Sequence, residues 1–119
     1  MRIRIKRVYE EPHKDDGTRI LVDRLWPRGL SKEAARVDEW MKDTAPSDEL
    51  RKWFGHREER WEEFREAYLK ELAQHHDRLL QISRLSRRGP VTLVYAAKNE
   101  KHNNAVVVQE LLGRRRRQS

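Results

Sequence analysis

From Trp61 to Leu85 the apolar residues Trp61, Phe64, Tyr68, Leu72, Leu79, Ile82 and Leu85 fall at helical spacing. At Gly89-Pro90 this pattern stops, and Val91 to Ala97 (VTLVYAA) follows at once, almost wholly apolar. No other feature narrows the fold as much. A long amphipathic helix must bury its stripe, and a strand with no polar face must be covered on both sides. Helices packed on a sheet, with this strand near its centre, satisfy both demands. His75-His76-Asp77 interrupts the helical stretch and marks a kink or a break into two helices.

The other elements follow from shorter signals. Ile3, Ile5, Val8 and Tyr9 around Arg4 and Lys6 predict a half-exposed strand at a sheet edge, where basic side chains discourage aggregation. Residues 10–18 (EEPHKDDGT) read as a polar loop, and Ile20-Leu21-Val22 as a short buried strand. Ser31 is placed to cap a short helix, Lys32 to Arg36, and Ser47 to cap a second that ends at Gly55. Val37 to Asp43 fits a strand or a helical face, and the alternation favours the strand. Asn103 or Asn104 can cap a last helix through Leu112, with Gly113 past its end. The expected fold is a small single-domain α/β protein with a largely parallel sheet flanked by helices. Its domain spans residues 1–113, and residues 114–119 are expected to be a disordered arginine-rich tail.

Charge sharpens this picture. The formal net charge is +7, but Arg114, Arg115, Arg116 and Arg117 stand together; taking them from the 27 basic residues leaves 23 against 20 acidic ones. The basic character is thus partly a property of the tail, which could attract nucleic-acid phosphates. With no cysteine there are no disulfides, thiolate zinc sites or cysteine nucleophile. No apolar run approaches a membrane span, and the basic start lacks the apolar stretch of a signal peptide. A cytoplasmic protein is the expectation. Neither a P-loop nor Gly-x-Gly-x-x-Gly occurs, and the histidines lack metal-binding spacing, so no cofactor and no metal are expected.

Ligands of open α/β sheets bind beyond the carboxyl ends of the strands. Two strands here run into polar segments: Asp23-Arg24-Leu25-Trp26-Pro27-Arg28-Gly29, and Lys98-Asn99-Glu100-Lys101-His102-Asn103-Asn104. If these strands are neighbours, Arg24, Arg28 and Lys98 could hold a phosphate or carboxylate at a helix start. His102 would exchange a proton, Asp23 would orient an arginine or a water, Trp26 would wall the pocket and Asn103 would face the ligand. Quieter readings stand beside these: Asp23 in an ion pair with Arg24 or Arg28, Trp26 in packing, Asn103 as a helix cap. Ser47, Arg51 and His56 form a secondary cluster in which Ser47 serves first as a cap.

The segments Leu21 to Gly29, Ala45-Pro46-Ser47, Leu50 to His56 (LRKWFGH) and Thr92 to Lys98 (TLVYAAK), with Glu100, His102, Asn103 and Ala105, carry a resemblance. The chain resembles the YeaO-like group, a branch of a bacterial domain family of unknown function (DUF488-type). The resemblance implies a small cytosolic α/β domain of bacterial type and implies no reaction. Similar, more distant branches place cysteine near the segment matching His102-Asn103; this chain has none, so thiol chemistry does not carry over. Labels such as uroporphyrin methyltransferase, borne by some relatives, find no support in these residues. The expected function is binding of a small anionic ligand at the carboxyl edge of the sheet, possible catalysis by Asp23 and His102 included. The alternatives are a nucleic-acid-associated basic module and a protein-interaction or regulatory domain.

Overall fold

A computed structural model describes the backbone of residues 3–118 and the side chains of residues 3–114. Four parallel strands, β1 (Ile3–Arg7), β2 (Thr18–Leu21), β3 (Glu39–Trp40) and β4 (Val91–Tyr95), lie in the order β1-β4-β2-β3. β4, the apolar strand, is buried at every residue between β1 and β2, with Ile5 and Ile20 both opposite Leu93. β1 is an edge strand, as its alternation implies. The stretch from Val37 to Asp43 is a strand for two residues only; Met41 then leads into a 3-10 turn, Lys42–Thr44.

The helices are α1 (Lys32–Ala35), α2 (Asp48–Phe54), α3 (Trp61–Leu72), α4 (His76–Arg88) and α5 (Asn104–Gln118). Ser31 Oγ accepts from Ala34 N and Ser47 Oγ from Leu50 N, so both predicted caps form. The predicted interruption at His75-His76 is a 3-10 turn between α3 and α4. One boundary needs correcting. Gly113 does not end the last helix, whose backbone continues to Gln118. Glycine permits a left-handed stop without requiring one, and Arg114 Nη2 stays within the helix, 3.3 Å from Glu110 Oε2 one turn back. The side chains of 115–119, on which a separate disordered tail depends, lie outside the described residues.

The two sheet faces differ. Ile20, Val22, Val91, Leu93 and Tyr95 bury one face under Phe54, Trp61, Phe64, Tyr68, Leu72, Leu79, Ile82 and the α5 residues Ala105, Val107, Val108 and Leu112. The opposite face has only a small cluster, Val8, Leu21, Ala35 and Val94, with Trp26, Val37 and Trp40 against it. Charged side chains fill the remainder. Arg19, 3% exposed, donates from Nη1 to Asp16 Oδ2 at 2.6 Å, and from Nε and Nη2 to Ala35 O at 3.2 and 2.9 Å. Lys6 and the His13 amide also reach Asp16. Burial opposes ionisation of Asp16, but these hydrogen bonds and the Lys6 charge outweigh it and hold its pKa below the usual value. Gly17, at φ +66°, turns the chain into β2 against Pro90; a Cβ there would lie 2.1 Å from Pro90 O.

Candidate functional site

α1 packs on the minor face and α5 on the major one. The helices that follow the neighbouring strands β2 and β4 therefore leave toward opposite faces of the sheet. Open α/β sheets bind ligands at such a divide, beyond the carboxyl ends of the two strands. In this chain Asp23 bridges the two strand ends there. Its Oδ2 accepts from Ala96 N at 2.9 Å, and its Oδ1 accepts from Asn104 Nδ2 at 3.0 Å. Asn104 also donates to Val22 O at 2.8 Å. Burial raises the Asp23 pKa, while the bonds from Asn104 and Ala96, and the charge of His56, act against that rise. Neither Arg24 nor Arg28 pairs with Asp23; an amide and a carboxamide hold it instead.

A second set of bonds joins the same two loops on the β1 side. Arg7 donates to Ala97 O at 2.9 Å and to Ala96 O at 3.2 Å, its guanidinium sits 5.2 Å from the Tyr9 ring centroid, and Tyr9 OH donates to Arg28 O at 2.9 Å. Residues 23–28 and 96–104 thus form one continuous rim. The side chains of Arg28 and Lys98 are exposed there and have no partner among the described residues.

The other predicted residues are engaged. Arg24 Nε donates to Pro46 O at 3.2 Å and lies 3.7 Å from Asp48 Oδ1, which ties the β2 loop to the start of α2. Trp26 packs on the minor sheet face. Its Nε1 donates to Leu30 O at 2.6 Å and its ring meets Trp40 edge-on at 5.4 Å, because the minor sheet face has little else to cover it. Asn103 is the α5 cap, its Oδ1 accepting from Val106 N at 3.0 Å, so one of the free amides at that helix start is satisfied from within the chain. His102 stacks on Trp61, centroids 4.5 Å apart, and its Nδ1 contacts Glu58.

In the secondary cluster, Ser47 donates from both Oγ and its amide to Glu71, at 2.7 and 2.8 Å. Arg51 reaches Asp48. His56 stands apart: it is exposed, has a left-handed backbone at φ +59°, and influences Asp23 electrostatically. Glu58 and Glu71 escape sequence reasoning because each looks like the wet side of a helical segment. Arg7 and Tyr9 escape it because a strand alternation does not reveal what lies past the strand's end. Elsewhere, a cavity of about 430 Å³ is lined by Asp43, Gln74, His75, His76, Asp77, Arg78 and Gln81, none of them predicted site residues. No group of three or more metal-ligating side chains occurs among the described residues. Nor is any helix there long and apolar enough to cross a membrane.

Fold and rim define a small α/β domain whose strand-end loops are bridged by the Asp23 carboxylate. The chain belongs to the family described as "Inactive DUF488-N3 subclade", which matches residues 2–119. It is 46% identical over 112 residues to the uncharacterized protein YeaO of Escherichia coli K12, covering 94% of this chain and 97% of that one. It is 45% identical over 116 residues to the uncharacterized protein Rv3073c of Mycobacterium tuberculosis H37Rv, covering 96% of each. No solved structure matches the chain.

Proposed function

We propose that this domain is a binding protein that takes a small phosphate- or carboxylate-bearing ligand at the rim above Asp23, with Arg28 and Lys98 as its cationic contacts. One observation carries the reading: two unpaired cationic side chains stand on loops fastened together by the Asp23 and Arg7–Tyr9 bonds. Arginine offers a planar fork and lysine a point charge, and together they suit an anionic head group. Binding is favoured over catalysis because the predicted proton-transfer groups Asp23 and His102, and the Ser47 hydroxyl, are committed. Asp23 accepts two internal bonds, His102 is fixed by Glu58 and Trp61, and Ser47 is bound to Glu71. The family's printed description, inactive, agrees with that preference.

Thermal-shift titration at matched ionic strength tests the reading, with inorganic phosphate and a mononucleotide as probes. At ten times its Kd a ligand adds roughly 1.4 kcal/mol, a rise of several degrees in the midpoint. Arg28→Ala and Lys98→Ala should each shrink that rise while leaving the free protein folded. A rise untouched by both substitutions but lost on deletion of residues 114–119 would refute the rim and favour a nucleic-acid-associated module.

A further inference from the structure

We infer that the amino edge of the sheet, at the end opposite the rim, is a docking surface for a nucleic-acid duplex, which it holds by the phosphate backbone. Two helices bring cations there. α4 starts past the carboxyl end of β3, where Arg78 Nε donates to Asp43 Oδ2 at 2.9 Å, and it ends at Gly89-Pro90, from which β4 begins. It therefore runs antiparallel to the strands. α5 does the same. Asn104 donates to Val22 O past the end of β2, and Gln109 Nε2 donates at 2.8 Å to Ile3 O, on the first residue of β1. Ile3 is paired with Val91, so both helices reach the same edge. The α5 backbone continues to Gln118, about 13 Å beyond Gln109, and carries the arginine run 114–117 past the sheet.

Arg84, Arg87 and Arg88 stand three and four residues apart on one face of α4, while Ile82 and Ser86 are buried on the other. All three arginines are exposed and have no partner among the described residues. Arg87 and Arg88, in the last turn, complement the negative end of the helix dipole. Arg84 and Arg88, however, are like charges one turn apart, an arrangement that costs a helix stability and that a bound polyanion relieves. Acids of this edge are already taken up. Asp16 is held by Arg19 and Lys6, Asp38 accepts from the Arg19 amide, and Glu110 is shared by Arg65 and Arg114. On the turn before β2, exposed Asp15 offsets exposed Lys14, which leaves the three arginines uncompensated.

The chemistry selects the occupant. Guanidinium forks match phosphate oxygens, and a row of them meets a repeating phosphate backbone. The exposed large apolar side chains stand elsewhere: Tyr9 and Leu25 follow β1 and β2, and Trp53 lies on α2, beyond the carboxyl end of β3. Among the described residues, the basic edge thus has no aromatic on which single-stranded bases would stack and no apolar wedge for a bilayer.

Fluorescence anisotropy of a short labelled DNA duplex, titrated with the full chain, tests this. Between about 50 and 200 mM salt the affinity should fall with a log–log slope steeper than about −2.7, each α4 arginine supplying about 0.9. The triple variant Arg84→Gln, Arg87→Gln, Arg88→Gln should flatten that slope by about 2.7; glutamine keeps helix propensity and no bond within the protein is lost. Deleting residues 114–119 should flatten it further. Lys52→Gln, which removes an exposed charge on α2 at the other end, should leave it unchanged. A duplex that fails to bind at about 50 mM salt, or a slope that the triple variant leaves in place, overturns the inference. So does a flattening of about 0.9 in Lys52→Gln, which would mean that overall charge alone acts. Phosphatidylserine-containing vesicles that bind where the duplex does not would also overturn it, in favour of a membrane surface. The rim lies at the opposite end of the strands, so each of these outcomes leaves the rim reading to its own test.

Discussion

Replacing Arg19 with methionine tests the charged filling of the minor sheet face. The substitution keeps most of the aliphatic stem and deletes the guanidinium. Lost with it are the 2.6 Å bond to Asp16 and the two bonds to Ala35 O. Removing one partner of a buried ion pair costs about 3–5 kcal/mol, chiefly because the other charge remains buried. Asp16 is 5% exposed but keeps Lys6 Nζ at 3.2 Å and the His13 amide at 3.0 Å, so its charge stays partly compensated. The lower end, about 3 kcal/mol, is therefore expected. That is a large share of the roughly 6–18 kcal/mol available to a domain of this length. Urea unfolding at pH 7 measures it as a fall in the midpoint at unchanged slope.

The pH dependence supplies a second reading of the same pair. The Asp16 pKa in the folded protein lies below its ordinary value of 3.8, so its stabilisation is complete above that value. It is lost as pH falls through the lowered folded pKa, where the folded protein must take up the proton. Arg19→Met should flatten this acid limb. A double change, Asp16→Leu with Arg19→Met, should recover part of the loss, since the charge it leaves without a partner, Lys6, reaches water, whereas the lone Asp16 carboxylate is buried. A cost below about 1 kcal/mol for Arg19→Met, or a double variant no more stable than the single one, would refute the reasoning.

Two further substitutions probe the scaffold beneath the rim. Gly17→Ala should destabilise the fold by about 2–5 kcal/mol in chemical denaturation, combining left-handed strain with displacement of Pro90 O from the Thr18 amide; a change under 1 kcal/mol would mean that the turn relaxes freely. Trp61→Ala should cost about 3–5 kcal/mol and leave His102 without its stacking partner, visible as a changed imidazole environment by NMR.

The parts of this protein that the sequence determined by itself are those whose causes lie within a few residues. The stripe Trp61, Phe64, Tyr68, Leu72 is set by helical geometry, and all four side chains are buried as that spacing requires. Ser31, Ser47 and Asn103 cap helices because each side-chain oxygen needs a donor only three residues ahead. The apolar run 91–95 had to be central, since no polar face exists to meet water. The last helix runs on through Gly113, because a permissive residue is not an obligatory stop. The rim was legible only as two segments following strands. That they meet depends on β4 inserting between β1 and β2, and on Asp23 finding Ala96 and Asn104, 73 and 81 residues along the chain. That Trp26 packs on the minor face beside Trp40 follows from how thinly that face is covered, which no local spacing reveals. Bonds between distant residues follow from which strands become neighbours. That choice is made by burial summed over the whole chain, which leaves no mark on the spacing of any one segment.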